Sequence, residues 1–408
     1  MTTSATRNSR LAQLNPYPFE RLNALLGNVT AADQSFISLA LGEPKHDTAG
    51  FLVESYRQEE LIRRGFGAYP PTKGLPELRT AIAGFINRRF KLAQPLDPET
   101  QVLPVNGTRE GLFAIAQALI DPLAPGLTLM PNPFYQIYEG AALLAGSKPY
   151  YLPCTADQGF LPNLDAIPAE TLQQCKMMYI CSPGNPSGAV MPIQQLQQAI
   201  QLAIEYDFVL VSDECYSEIY LDEANPPPGL LEAAAQMGHL DFKNCITFNS
   251  LSKRSNLPGL RSGYAAGDAD LIQQFLLYRT YHGSAMSVHN QLLSVLAWQD
   301  EDHVIDNRRL YREKYLAVGK TLEDVWTMDT PPASFYLWPE TPGMSDEAFA
   351  VRLMETCNIK VLPGSYLSRN IDGVNPGANR VRMALVATVE ECVEAAQRIR
   401  HFLQQGGL

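Results

Sequence analysis

From about residue 100 to 270, short apolar runs alternate with longer stretches whose apolar positions recur at helical spacing. "QVLPV" (101–105) precedes "REGLFAIAQALI" (109–120), "LTLM" (127–130) precedes a segment from Tyr135 to Leu144, and "MMYIC" (177–181) precedes "IQQLQQAIQLAIEY" (193–206). "FVLVS", "CITFN" and "RSGYAAG" follow. Strands that are apolar almost throughout are buried on both faces, so the pattern predicts an α/β fold: a mainly parallel sheet flanked by helices. In such sheets the ligand crevice lies beyond the carboxyl ends of the strands. There the sequence turns polar: "NGTR" follows QVLPV, "SPGNPSG" follows MMYIC, "SDECY" follows FVLV and "NSLSK" follows CITF. Four loops carrying reactive side chains are therefore expected along one sheet edge.

The tail from about 310 has its own signals, "SFYLW", "DEAFAVRLMETC", "RVRMALV" and "EECVEAAQRIRHFL", which predict a smaller α+β domain. The expected division is a large domain over 46–305, a small one over 306–408, and an N-terminal segment, 1–45, whose helix-like "PFERLNALL" joins the small domain or reaches a second subunit. A length of 408 residues accommodates this.

Composition narrows the partners. With 46% apolar and 18% charged residues the chain is neither disordered nor fibrous. A net charge of -11, with no basic run against it, repels nucleic acid and leaves small molecules as the expected ligands. No apolar stretch approaches the roughly 20 residues that span a bilayer, and "MTTSATRNSRLAQLNP" lacks a hydrophobic signal segment, so a cytoplasmic protein is expected. The seven cysteines are scattered and read as reduced core residues; without CxxC or HExxH spacing, no metal site is expected. "GFGAYP" lacks the third glycine of a dinucleotide fingerprint.

Candidate chemistry gathers around "FNSLSKRSNLPGLRSGYAAGD" (248–268). Taken alone, Lys253 is a solvated surface cation. Upstream, Gly107 and Thr108 open a helix whose free N–H groups suit a phosphate, although the same residues serve as an ordinary N-cap. Ser250, Ser252 and Arg261, on a loop turned by Pro258 and Gly259, add two hydroxyls and a guanidinium fork that can close a cage around a dianion. A phosphate beside a lysine points to pyridoxal phosphate, whose aldehyde bonds a lysine amine and whose ring acts as an electron sink. Its ring nitrogen needs a carboxylate, for which Asp213 is the candidate, and Tyr216 and Asn185 can donate to its phenolate oxygen. Asp213 and the Asn185 loop have plainer alternatives, a helix cap or turn aspartate and a Pro/Gly turn.

Together, "SPGNPSG", "SDECY", "SLSKRSNLPGLRSGY" and "NRVRMALV" resemble the fold type I, class I/II pyridoxal-phosphate aminotransferases over nearly the full chain. The resemblance implies a seven-stranded sheet, Lys253 as the attachment lysine and proton shuttle, Asp213 on the ring nitrogen, and Asn185 and Tyr216 on the phenolate oxygen. It gives the phosphate to Gly107, Thr108, Arg109, Ser250, Ser252 and Arg261, and ring stacking to Tyr135. Substrate binding falls to Gly42, Asn185 and Arg382; Arg380, two residues away and expected on the same strand face, is set aside by the resemblance alone. Tyr69 is implied to reach the phosphate of a neighbouring subunit, so a homodimer is expected. Within the family, "NPYPFERLNALL", "LGEPKH", "LPVNGTRE", "MPNPFYQIYEGAALLAG" and "SLSKRSNLPGLRSG" resemble the succinyldiaminopimelate aminotransferases. That implies amino transfer from glutamate to N-succinyl-2-amino-6-oxopimelate, with Lys45 and Arg21 as candidates for a distal carboxylate. An aspartate, alanine or aromatic aminotransferase, a β-lyase and a non-catalytic sensor domain are the alternatives.

Overall fold

A computed structural model describes residues 8–406. Its centre is a seven-stranded sheet built from β2 (Val102–Val105), β3 (Leu127–Asn132), β4 (Lys148–Pro153), β5 (Cys175–Cys181), β6 (Val209–Asp213), β7 (Cys245–Ser250) and β8 (Gly263–Gly267), with β1 (Ile37–Ser38) lying elsewhere. The order is β2-β8-β7-β6-β5-β3-β4; every pairing is parallel except those of β8, which runs antiparallel to both β2 and β7. Successive side chains of a strand point to opposite faces. Along β5, Met177 and Tyr179 enter one core with Leu112, Phe248 and Phe275, while Met178 and Ile180 enter the other with Phe85, Phe208 and Trp298. Two buried faces explain why these strands lack polar alternation, and each large side chain so buried stabilises the fold by about 1.5–3 kcal/mol.

The expected strands are present, and β4 is an additional one. "KPYYLP" carries a lysine and two prolines, which argue against a central strand, but β4 is the sheet edge, where proline costs no ladder bond and charge discourages further pairing. The antiparallel return of β8 sets Gly263 opposite Ser250, where a Cβ would come within 2.6 Å of the Asn249 carbonyl oxygen. It also carries Arg261 back beside Asn106 and Gly107 at the end of β2.

The smaller unit holds the antiparallel sheet β11-β12-β9, made of β9 (Tyr336–Leu337), β11 (Leu362–Pro363) and β12 (Val381–Ala384), together with β10 (Ile359–Lys360). Helices Asp346–Cys357 and Val389–Gln404 cover it around Phe349, Leu353 and Ile399. The N-terminal segment lies on this unit. β1 pairs in parallel with β10, Ile37 opposite Ile359, and Leu22 of helix Pro18–Leu26 packs with Trp338, Leu362 and Tyr366. A 21-residue helix, Asp302–Leu322, spans the expected division at 305/306 and belongs to both units. Among the described residues no helix is long and apolar enough to cross a membrane, and all seven cysteines are free.

Candidate active site

The loops after β2, β5, β6 and β7 meet at one sheet edge and wall a cavity of about 500 Å³, roofed by Tyr17, Leu41, Gly42, Tyr336 and Arg382 from the N-terminal segment and the smaller unit. A groove of about 750 Å³ near Phe160, Trp326 and Arg380 is larger but holds none of the candidate residues. The candidate residues gather at the first.

At its floor, Lys253 follows β7 on a single helical turn, Leu251–Arg254, capped by the Ser250 hydroxyl, which accepts from the Ser252 N–H at 3.0 Å. The lysine Nζ donates to the Gly42 carbonyl at 2.6 Å. Burial lowers its pKa to about 8, with Arg382 and Arg261 adding to the effect and Cys215 and Glu43 opposing it. Gly42 can approach this closely because it has no side chain; a Cβ there would collide with the Tyr336 hydroxyl at 2.1 Å.

Asp213, at the end of β6, is 4% exposed. Its oxygens accept from the Tyr138 hydroxyl at 2.6 Å and the Cys215 N–H at 3.2 Å, and burial raises its pKa. Among the described residues no cationic side chain forms an ion pair with it. Tyr216 and Tyr336 join hydroxyls at 2.9 Å, and burial holds the Tyr216 phenol well above its usual range. Ser250 and Ser252 hydroxyls lie 2.9 Å apart, Thr108 contacts Cys215, and Arg261 donates only to the carbonyls of Pro258 and Asn106. Arg109 Nε donates to the Tyr135 hydroxyl at 2.8 Å.

Arg382, on β12 and 5% exposed, donates to Asn185 Oδ1 at 3.0 Å and to the Ala40 carbonyl at 2.9 Å, leaving its buried Nε without a partner. Arg380 does not share its surroundings. It lies just outside β12, donates to the Trp338 carbonyl, rests over the Phe160 ring and lines the other groove, so strand spacing does not make the two arginines equivalent.

Of the sequence candidates, Gly42, Thr108, Arg109, Tyr135, Asn185, Asp213, Tyr216, Ser250, Ser252, Lys253, Arg261 and Arg382 all line the cavity. Gly107 stands one step behind: its φ is +78°, and a Cβ would strike the Arg261 guanidinium. Tyr69 does not reach the cavity of its own chain and is 99% exposed. Lys45 is exposed and Arg21 stacks on Tyr366, both outside the lining. Sequence reasoning missed Tyr138, Cys215, Tyr336 and Glu43. Cys215 lies inside "SDECY" and Glu43 beside Gly42, so adjacency could have found them; Tyr138 and Tyr336 read as core aromatics.

Residues 34–399 match the family described as aminotransferase class I and II. The chain belongs to the class I and II aminotransferases. A curated relative, the LL-diaminopimelate aminotransferase of Desulforudis audaxviator, is 33% identical over 96% of each chain. Among solved structures, an aminotransferase from Neisseria meningitidis is 45% identical, covers 97% of this chain and 100% of its own, and superposes with a TM-score of 0.92. A structure described as a probable N-succinyldiaminopimelate aminotransferase, from Thermus thermophilus, is 26% identical with a TM-score of 0.82 and covers 94% of this chain and 99% of its own. As in other aminotransferases of this family, the cofactor is pyridoxal 5′-phosphate. The cavity fits it: a buried carboxylate lacking a cation accepts a protonated ring nitrogen, and hydroxyls with an exposed guanidinium accept a phosphate.

Proposed function

We propose that this aminotransferase moves an amino group between glutamate and N-succinyl-2-amino-6-oxopimelate. The observation that carries amino transfer is Lys253: a buried amine, partly neutral near pH 8, in the same cavity as an arginine whose Nε is free. Pyridoxal phosphate, when bound, supplies an electron sink for the bonds of the substrate's α carbon. Lys253 Nζ would hold the cofactor's aldehyde carbon and, as a free amine, would carry the proton taken from the substrate's α carbon. Asp213 would keep the ring nitrogen protonated, Asn185 and Tyr216 would donate to the phenolate oxygen, and Tyr135 would lie against the ring. Thr108, Ser250, Ser252 and Arg261, with the backbone of Gly107 and Arg109, hold the phosphate. Arg382 binds the α-carboxylate as a fork, pre-oriented by Asn185 and Ala40, while Gly42 closes over the substrate.

The succinylated acceptor is supported by the motif resemblance and by the likeness to the Thermus thermophilus structure. The name of the Desulforudis audaxviator relative favours a second reading, LL-diaminopimelate itself. Side-by-side kcat/KM values for N-succinyl-LL-diaminopimelate and LL-diaminopimelate, with 2-oxoglutarate as acceptor, separate them. The proposal expects the succinylated donor to lead by about tenfold or more, since a pocket fitted to the larger ligand leaves polar groups unpaired with the smaller. A lead for the free diamino acid would transfer the assignment to the second reading. Tyr69 and Phe66, exposed at 99% and 78%, further support a homodimer in which Tyr69 reaches the partner's phosphate.

A further inference from the structure

Helix Asp302–Leu322 carries three buried residues on one face at helical spacing, Asn307, Tyr311 and Lys314, none of which lines the cavity. Lys314 is unusual: an almost completely buried ammonium with no carboxylate in ion-pair contact among the described residues. Its Nζ sits 4.8 Å from the Tyr311 ring centre and 2.5 Å from His46 Nε2. His46 stacks on Tyr311 at 4.6 Å and places Nδ1 2.6 Å from Asn307 Oδ1. The Asn307 amide nitrogen then lies 3.2 Å from two carbonyl oxygens, those of Lys253 and Arg254.

The direction of every bond in this chain follows from its first member. Burial lowers the Lys314 pKa to about 8, and below that pH its ammonium only donates, so His46 Nε2 accepts and the ring proton is on Nδ1. Nδ1–H donates to Asn307 Oδ1, which turns the NH2 group toward the two carbonyls. Burial and the neighbouring Lys314 lower the His46 pKa to about 4, so the ring stays neutral and the polarity holds. The two carbonyls end the one-turn helix Leu251–Arg254, where no intrahelical donor is available. Asn256, just beyond that turn, donates back to the His46 carbonyl. The residues preceding His46 supply the Gly42 oxygen that accepts from Lys253 and the Ala40 oxygen that accepts from Arg382.

We infer that Asn307 is a positioning residue for Lys253: its amide, oriented by His46 and Lys314, pins the peptide carbonyl of the attachment lysine, so that the amine swings from a fixed root. The inference rests on the assignment of Lys253 above. A lysine stem has four rotatable bonds, and its reach between two reacting carbons depends on where its Cα is held; misplacement by about 1 Å can cost on the order of a hundredfold in rate.

The test compares holoenzyme with Asn307→Leu, which has similar volume and no donors, and Lys314→Met, which keeps the Asn307 amide but removes the group that orients it. Three quantities are measured: the rate of the half-reaction with glutamate, KM for glutamate, and the pH midpoint of the visible band of the lysine-bound cofactor. In Asn307→Leu the rate is expected to fall about thirtyfold with KM within about twofold, and the midpoint to move by about half a pH unit, because the reacting amine and not the substrate clamp is displaced. Lys314→Met is expected to move rate and midpoint the same way by a smaller factor. Unchanged rate and midpoint in soluble Asn307→Leu holoenzyme, even with a lowered Tm, would make Asn307 a helix cap only and overturn the inference. Should that variant not fold, Lys314→Met decides by the same criterion. A wild-type protein in which borohydride fixes no cofactor on Lys253 would overturn this inference together with the lysine assignment; a normal wild type with unaltered variants overturns this one alone.

Discussion

A free lysine near neutral pH is almost wholly protonated and a poor nucleophile. Burial of Lys253 brings its amine to about 8 before cofactor binds. The neutral form is the one that attacks an aldehyde, so the rate of covalent attachment by apoenzyme should rise about tenfold per pH unit below 8 and level off above it. Stopped-flow growth of the visible band across pH checks this; a rise that continues to pH 10 would mean an unshifted amine. Arg382 is similarly set by its surroundings, with two donors committed to Asn185 and Ala40 and Nε free. In Arg382→Lys the fork is lost, and kcat/KM for glutamate should fall about a hundredfold, equivalent to about 3 kcal/mol at 1.4 kcal/mol per tenfold. Lys253 and Asp213 could be singled out because they stand where apolar strands give way to polar motifs, whereas Arg382, inside strand β12, could be singled out only by resemblance to the family pattern. Tyr138 and Tyr336 could not, since a tyrosine in an apolar run gives no sign of where its hydroxyl points.

The elements show how backbone shape supports these side chains. Gly107 holds φ at +78° where β2 passes into helix Thr108–Leu119, and its missing Cβ leaves room for the Arg261 guanidinium. Gly107→Ala should therefore weaken cofactor affinity by about tenfold, combining about 1 kcal/mol of backbone strain with a displaced arginine. Titrating apoenzyme with cofactor measures it; unaltered affinity would mean that Arg261 is free to move aside. Most of the sheet could be read from the sequence because strands buried on both faces are apolar throughout. β4, an edge strand that begins at a lysine and holds two prolines, could not, and the antiparallel course of β8 has no signature in composition. It becomes visible only once Gly263 is seen to lie against Ser250.

For the whole molecule, the exposed aromatic pair Phe66 and Tyr69 extends from helix Glu59–Phe66 and its following loop, with Tyr56 and Ile62 also exposed nearby in sequence. If a second copy covers this surface, Phe66→Glu should shift the protein toward monomer in sedimentation velocity and lower kcat, because a Tyr69 without its partner site leaves each phosphate less firmly held. A variant that remains dimeric with normal turnover would place the contact elsewhere. The tail's separate pattern made its strands around Tyr336 and Val381 legible. The shared helix Asp302–Leu322 was not, because an amphipathic helix looks the same whether it serves one core or two.

The pairing of β1 with β10 also bears on how the protein is made. A ribosome extends the chain from its N-terminus at about 5–20 residues per second, so Ile37 emerges some tens of seconds before Ile359 exists. During that interval the segment destined to roof the cavity has no sheet to join, while the large sheet can already condense. A nascent polypeptide stalled short of residue 359 is thus expected to carry the floor of the cavity without its roof.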